Sequence, residues 1–200
     1  MTTSEIHNIC EEYNIKNYTI NSDMSISVDG SVNLSYRNLK SIPIKFKEVG
    51  GDFYCGYNRL TSLEGCPETV GGYFSCYSNR LTSLKYCPGT VGGDFSCHSN
   101  QLTSLKYCPE TVGGVFYCNG NQITNFDGLP EFFEQSINLY GNPVNEIYRL
   151  FKKDHRCIYW IREFGVIQGD EVVRDRLEEV YHTLGMDIPK DIDLNNYILI

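Results

Sequence analysis

The sequence has little positive charge and no long apolar segment. Its 17 Lys and Arg residues face 25 Asp and Glu residues, which gives a net charge of −8. Nucleic-acid binding needs a concentrated basic face, and a membrane-spanning helix needs about 20 apolar residues in a row. The opening Met-Thr-Thr-Ser-Glu-Ile-His is polar and acidic, where a secretory signal would be basic and then apolar. We therefore expect a soluble, cytoplasmic protein that binds neither nucleic acid nor membranes.

Sequence motifs for catalysis and for cofactor binding are also missing. No Gly-Lys-Ser or Gly-Lys-Thr follows a glycine-rich stretch, so the pattern of a phosphate-binding loop is absent. The carboxylates are scattered, and no pair of them recurs at a position typical of a catalytic site. We expect no cofactor, no metal ion and no enzymatic activity.

What the sequence does contain is an internal repeat of 21 residues. Four units are near copies, and weaker copies on either side bring the total to six units between about Val28 and Ile147. Six positions recur with the same step. They are Phe53, Phe74, Phe95 and Phe116; Cys55, Cys76, Cys97 and Cys118; Asn58, Asn79, Asn100 and Asn121; Leu60, Leu81, Leu102 and Ile123; Leu63, Leu84, Leu105 and Phe126; and Pro67, Pro88, Pro109 and Pro130.

The spacing within a unit predicts one short strand followed by a turn. Alternation along a strand places Phe53 and Cys55 on the inner face, with Tyr54 between them on the outer face. One unit cannot bury its apolar face alone, so we expect parallel strands stacked about 4.8 Å apart. The asparagine column is expected to satisfy backbone groups inside the turn. Proline and paired glycines disfavour a helix in the return segment, for which we predict an extended or 3₁₀ path.

Two segments flank the repeats of residues 28–147, and we interpret both as caps. Residues 1–27 predict a helix over Ser4–Tyr13, with Ser4 as its N-cap, and then a hairpin. Residues 148–200 predict a helical region whose tail, from Ile188, packs back on the body. The predicted hairpin strands and later helices are Tyr18–Ile20, Ser25–Val28, Val144–Lys153, Cys157–Phe164 and Asp170–Leu184.

The unit motif Phe-x-Cys-x-x-Asn-x-Leu-x-x-Leu, seen from Phe53 to Leu63, resembles the leucine-rich repeat. The departures are Phe and Cys at two strand positions and Gly-Gly before the strand. The segments Ile-Cys-Glu-Glu-Tyr-Asn-Ile (9–15) and Val-Asn-Leu-Ser-Tyr (32–36), with the Leu-Thr-Ser-Leu, Cys-Pro and Val-Gly-Gly elements, are similar to short leucine-rich repeat proteins of large DNA viruses and tailed phages. The resemblance implies an α/β repeat solenoid that binds a protein, such as a host factor in the host cytoplasm.

The nine cysteines are interpreted as packing residues. Seven of them fall in two repeat columns, Cys55, Cys76, Cys97 and Cys118, and Cys66, Cys87 and Cys108. A structural zinc site needs close ligand pairs, whereas these cysteines recur every 21 residues. Cys157 with His155 would be the alternative, a thiol nucleophile. Residues two apart on a helix point in different directions, so a packed Cys157 is favoured.

The outer strand positions carry tyrosines among Ser, Gly and Asn, a composition typical of protein-binding surfaces. Alternation predicts that Ser75 and Ser96 are exposed on this face as well. Arg59 and Arg80 would add a small positive edge. The alternative is that tyrosine merely suits an exposed strand. The candidate partner-binding residues are Tyr36, Tyr54, Tyr57, Arg59, Tyr77, Arg80, His98, Tyr117 and Tyr140.

The sequence therefore predicts a non-enzymatic interaction module, a monomer or weak dimer, whose partner is an unidentified protein. One alternative is an effector related to bacterial leucine-rich repeat ubiquitin ligases, which pair such an array with a helical domain. Too few residues follow the repeats for that domain, and Cys157-Ile158-Tyr159 lacks its Cys-x-Asp motif. The other alternative is glycan binding, because aromatic rings can stack on sugars.

Overall fold

The structure is a computed structural model that describes residues 1–129 and 136–200. Stacked turns of about 21 residues form a β-solenoid of about five turns, followed by a few helices. The predicted repeat solenoid with parallel strands is thereby confirmed. Pro130, the last member of the predicted proline column, lies outside the described residues. No helix within the described ranges has the length and apolarity that crossing a membrane requires.

An N-terminal helix and a hairpin precede the solenoid. They are α1 (Thr3–Glu12), β1 (Tyr18–Ile20) and β2 (Ile26–Val28). The prediction that Ser4 caps α1 was wrong: Thr2 is the N-cap, and it forms a capping box with Glu5. The Thr-x-x-Glu spacing lets the Thr2 hydroxyl accept from the Glu5 N–H while the Glu5 carboxylate accepts from the Thr2 N–H. Ser4 lies inside the first turn of α1, so it is not the N-cap residue.

The strands of the solenoid alternate between two sheets. In chain order they are β3 (Val32–Asn33), β4 (Phe46–Val49), β5 (Phe53–Tyr54), β6 (Thr69–Val70), β7 (Phe74–Ser75), β8 (Thr90–Val91), β9 (Phe95–Ser96), β10 (Thr111–Val112), β11 (Phe116–Tyr117) and β12 (Ile137–Asn138). The front sheet has the order β12-β11-β9-β7-β5-β3, and all its strands are parallel. The return sheet has the order β1-β2-β4-β6-β8-β10, so the N-terminal hairpin extends it.

The front-sheet register places equivalent residues of successive units side by side. Phe53 pairs with Phe74, and Phe74 with Phe95, each one repeat further along the chain. Their fully buried rings stack with centroids 5.8 and 5.5 Å apart. Burying a phenylalanine is worth about 1.5–3 kcal/mol, so this column is a main stabiliser of the solenoid. The inward direction predicted for the Phe and Cys columns is what the structure shows.

The paired glycines before four of the front strands, β5, β7, β9 and β11, allow adjacent turns to come close. A Cβ atom on Gly71 would lie 2.2 Å from the carbonyl oxygen of Gly50, and one on Gly92 would lie 2.2 Å from that of Gly71. No side chain fits at such distances. The predicted extended return is confirmed, and two of its residues in each turn pair into the return sheet, as Thr69–Val70 does with Thr90–Val91.

The C-terminal region combines helices with a small sheet. Its elements are α2 (Asn145–Leu150), α3 (Arg156–Glu163), β13 (Ile167–Gln168), β14 (Glu171–Val172), α4 (Arg174–Leu184) and β15 (Ile198–Leu199). The helix predicted to begin at Asp170 begins only at Arg174, because residues 171–172 pair with both β13 and β15. The tail does pack back on the body: the buried Tyr197 donates its hydroxyl hydrogen bond to the carbonyl of Thr124.

Candidate functional site

Four aromatic side chains form a continuous ladder along the outer surface of the front sheet. We call Tyr36, Tyr57, Tyr77 and His98 the aromatic ladder. The first two rings stack with centroids 4.3 Å apart, Tyr57 and Tyr77 meet edge to face at 4.8 Å, and the rings of Tyr77 and His98 stack at 4.5 Å. The structure thus brings together four of the nine side chains that the sequence singled out.

The rings of the ladder come from two different positions of the repeat, and they meet because Gly56 has no side chain between them. Tyr36 and Tyr57 occupy the position that ends the strand segment, with left-handed φ values of 59° and 51°. Tyr77 and His98 occupy the preceding position of their own units, which in the unit of Tyr57 is Gly56. A Cβ atom on Gly56 would lie 3.1 Å from the ring of Tyr77. The ring of Tyr77 therefore lies over Gly56 and reaches Tyr57.

Partial burial favours the neutral forms of Tyr77 and His98. Desolvation raises the pKa of Tyr77, with the nearby Tyr57 as the next cause, and desolvation lowers the pKa of His98. Tyr36 and Tyr57 stay exposed, at 71% and 45%. The ladder therefore offers ring edges and neutral polar groups to a partner.

Tyr54 belongs to a second group, which includes residues that the sequence analysis missed. Its hydroxyl donates a hydrogen bond to Oδ2 of Asp52 at 2.9 Å, and its ring meets that of Tyr73 edge to face at 5.6 Å. Oδ1 of Asp52 accepts from the backbone N–H of Tyr73 at 2.8 Å. A signal was present in the sequence, because Asp52, Tyr73 and Asp94 follow the same 21-residue step.

A pocket of about 370 Å³ opens beside the last ring of the ladder. It is lined by Tyr73, Asp94, Ser96, His98, Tyr117 and Asn119. Ser96 is 1% exposed, and its hydroxyl makes no hydrogen bond within the described part of the chain. The pocket joins His98 and Tyr117, two predicted partner-binding residues.

The prediction that Ser75 and Ser96 are exposed was wrong. Both side chains point outward as alternation requires, but both are buried. Each short side chain has a tyrosine beside it on a neighbouring strand, Tyr54 next to Ser75 and Tyr117 next to Ser96. Large rings on adjacent strands close over the small residues between them.

The remaining candidates lie apart from the ladder. Tyr140 is 76% exposed and borders a different pocket, of about 140 Å³, together with Tyr148 and Lys153. Arg59 and Arg80 are exposed just past their strands. Neither arginine forms an ion pair or a cation–π contact with another described residue.

The cysteines are packed inside the protein. All nine are free thiols, eight are buried, and Cys87 is half-buried. Burial raises the pKa of Cys157, with the charge of Asp154 as a second cause, which opposes formation of a reactive thiolate there. Among residues 1–129 and 136–200, no three His, Cys, Asp or Glu side chains are grouped so as to hold a metal ion.

Comparisons with known proteins give no family for this chain. It matches no protein-family model, and no curated protein and no solved structure is significantly similar to it. The chemistry of the ladder and its pocket is therefore the guide to function.

Proposed function

We propose that this protein is a non-enzymatic interaction module that binds a partner protein through the outer surface of its front sheet. The observation that carries the proposal is the aromatic ladder, four side chains in mutual contact on an exposed surface. Tyrosine is enriched at protein interfaces because it combines a large apolar ring with a hydroxyl group.

The ladder is suited to binding because its rings are already held in place. Ordering a side chain at an interface costs about 0.5–1.5 kcal/mol, and contacts made before binding reduce that cost. Each stacked pair covers one face of both its rings, which leaves edges and hydroxyls along the ladder and an outer ring face at its ends. Stacking on a sugar needs open aromatic faces, so the covered faces within the ladder favour a protein partner over a glycan.

The proposal includes the class of repeat and the kind of partner. The Asn and Leu columns support leucine-rich repeats, and the motif resemblance to viral and phage repeat proteins is the basis for proposing a host protein in the host cytoplasm as the target. The burial of Cys157 supports a role without thiol catalysis.

The test is affinity capture from a host-cell lysate with three forms of the protein. The wild type is compared with Tyr57→Ala/Tyr77→Ala, and with a matched control, Tyr86→Ala/Tyr107→Ala. The control tyrosines are 50% and 54% exposed and lie in the return segments, away from the ladder. We expect wild type and control to retain the same protein, and the ladder variant to lose it. Hot-spot residues cost about 2 kcal/mol or more each, so the Kd of the purified complex should rise about 100-fold or more.

Thermal melts of all three forms separate loss of binding from loss of folding. Equal capture by the ladder variant and the wild type would overturn the proposal. So would a partner lost equally from the ladder variant and from the control.

A further inference from the structure

Asp52 and Asp94 occupy the same position of different units, but their carboxylates differ in the hydrogen bonds that they accept. Oδ1 of Asp52 and Oδ1 of Asp94 each accept a hydrogen bond from the backbone N–H one repeat later, at 2.8 and 2.7 Å. Oδ2 of Asp52 also accepts from the Tyr54 hydroxyl. Oδ2 of Asp94 makes no hydrogen bond or ion pair with any described residue.

The difference follows from one change in the repeat. The residue two positions after Asp52 is Tyr54, whereas the residue two positions after Asp94 is Ser96. A serine is too short to span the distance that the tyrosine spans, so two polar atoms, the Ser96 hydroxyl oxygen and Oδ2 of Asp94, are left without partners in the described structure. Both residues line the pocket, Ser96 as the counterpart of Tyr54 and Asp94 as the counterpart of Asp52.

The groups around this pocket favour a cation. Asp94 supplies negative charge, and the oxygens of Ser96 and Asn119 can accept hydrogen bonds. The rings of Tyr73, His98 and Tyr117 line the walls. A cation over an aromatic face is attracted by the ring quadrupole, and more strongly when water is partly excluded. Desolvation lowers the pKa of His98, so this ring stays neutral near pH 7 and does not repel a cation.

We infer that the pocket lined by Asp94, Ser96 and the three rings binds an arginine side chain of the partner protein. A guanidinium group is flat enough to lie against the rings and carries five N–H donors, whereas an ammonium group is compact and strongly hydrated. The inference rests on the proposed function for its partner, since the side chain comes from the bound protein. The net charge of −8 favours the approach of a basic partner.

The test uses a small probe, so it does not depend on knowing the partner. ¹⁵N-labelled protein is titrated with N-acetyl-arginine N-methylamide and, separately, with the citrulline equivalent, which is nearly isosteric but uncharged. The amide of Val115, whose N–H donates to Asp94, reports on the site by NMR. We expect saturable shifts of Val115 and of the Ser96 and His98 amides with the arginine probe, and an at least tenfold weaker response to the citrulline probe.

Three variants locate the effect. Asp94→Asn keeps an oxygen for the Val115 N–H but loses the charge, and should weaken binding about tenfold. Ser96→Tyr copies the unit of Asp52 and should fill the pocket and abolish binding while the protein stays folded. Asp52→Asn makes the same chemical change at a carboxylate whose Oδ2 already accepts from the Tyr54 hydroxyl, and should leave the titration unchanged.

Equal responses to the two probes would overturn the inference, as would unchanged binding in Asp94→Asn or shifts that map away from the pocket. These results are independent of the capture experiment. A partner that is retained through the ladder while the arginine probe fails to bind would contradict the arginine site and leave the proposed function standing.

Discussion

Oδ1 of Asn79 accepts a hydrogen bond from the backbone N–H of Leu60, which lies one turn earlier in the solenoid, at 2.9 Å. Its Nδ2 donates to the carbonyls of Cys55 and Cys76, each at 3.0 Å. One buried amide therefore links two successive turns through backbone groups that the sheets leave unpaired. Asn100 and Asn121 repeat the arrangement further along.

Replacing Asn79 by alanine is expected to lower the free energy of unfolding by about 1–3 kcal/mol. The change leaves the buried Leu60 N–H without an acceptor, and a buried unsatisfied group costs about that much. The carbonyls of Cys55 and Cys76 each keep one donor, Asn58 and Asn100 respectively. Urea denaturation provides the measurement. The control is Asn119→Ala, at a half-exposed position, expected to shift stability by less than about 0.5 kcal/mol. Equal losses of unfolding free energy in the two variants would contradict a stabilising role of the asparagine column.

Two glycines of the return segments are expected to differ sharply in their tolerance of a methyl group. Gly71→Ala would place Cβ 2.2 Å from the Gly50 carbonyl oxygen, whereas Gly89→Ala would meet nothing closer than 4.0 Å. We expect a loss of about 2–3 kcal/mol for the first variant, because the turns must move apart, and no loss for the second. Thermal melts of both variants test this. A stable Gly71→Ala protein would show that the turns can separate without cost.

The native protein is expected to react slowly with Ellman's reagent at pH 8. Burial raises the pKa of the Cys76 and Cys97 thiols, and the half-buried Cys87 donates its S–H to the carbonyl of Tyr107. We expect at most one thiol, that of Cys87, to react before unfolding, and all nine to react in denaturant. Cys87→Ser should remove the native reaction. Fewer than nine thiols in denaturant would reveal disulfides instead.

Stability is expected to fall at alkaline pH through buried tyrosines of the C-terminal region. Burial, with the nearby Cys157 as a second cause, raises the pKa of Tyr181 to about 12, and burial raises the pKa of Tyr148 to about 12. In the unfolded chain a tyrosine ionises near pH 10. Ionisation therefore favours the unfolded chain between pH 10 and 12, so stability present at neutral pH is lost as the pH rises through that window.

The free energy of unfolding, measured by urea denaturation between pH 9 and about pH 12, tests this expectation. Tyr181→Phe should flatten the decline, because the variant loses one phenol that resists ionisation when folded. It should also be less stable at neutral pH, because the Tyr181 hydroxyl no longer donates to Leu150. If the unfolding free energies of the wild type and of Tyr181→Phe fell in parallel as the pH rises, Tyr181 would not be a source of the decline.

The repeat made the front of the solenoid predictable. A fixed step fixes the register, and alternation then places Phe53 and Cys55 inside. The return sheet was harder to see, since each of its strands pairs only two residues in most units, as at Thr69–Val70. The sequence signal for the return sheet is a buried valine that recurs in successive units, at Val49, Val70, Val91 and Val112.

The site was only partly predictable, because exposure depends on neighbours across strands. Alternation gives the direction of the Ser96 side chain correctly but cannot give the cover provided by adjacent rings. The transfer of the ladder from Tyr57 to Tyr77 depends on the empty space at Gly56, which only the folded backbone shows. In the C-terminal region, residues 171–172 join a strand near position 198, and local spacing carries no information about such distant pairing.

Successive turns present the same backbone hydrogen-bonding groups to one another. The hydrogen-bond pattern therefore sets no limit on the number of turns. The N–H of Phe53 bonds to the carbonyl of Tyr73, and that of Phe74 to the carbonyl of Asp94, in a pattern that any turn could continue. Unequal recombination between near-identical repeats could thus add or delete one turn of the gene product without changing the fold. Each such event would give Gly56, Tyr77 or Ser96 different neighbours on the front sheet. New binding surfaces could therefore evolve through a change in the number of turns, without substitutions within a turn.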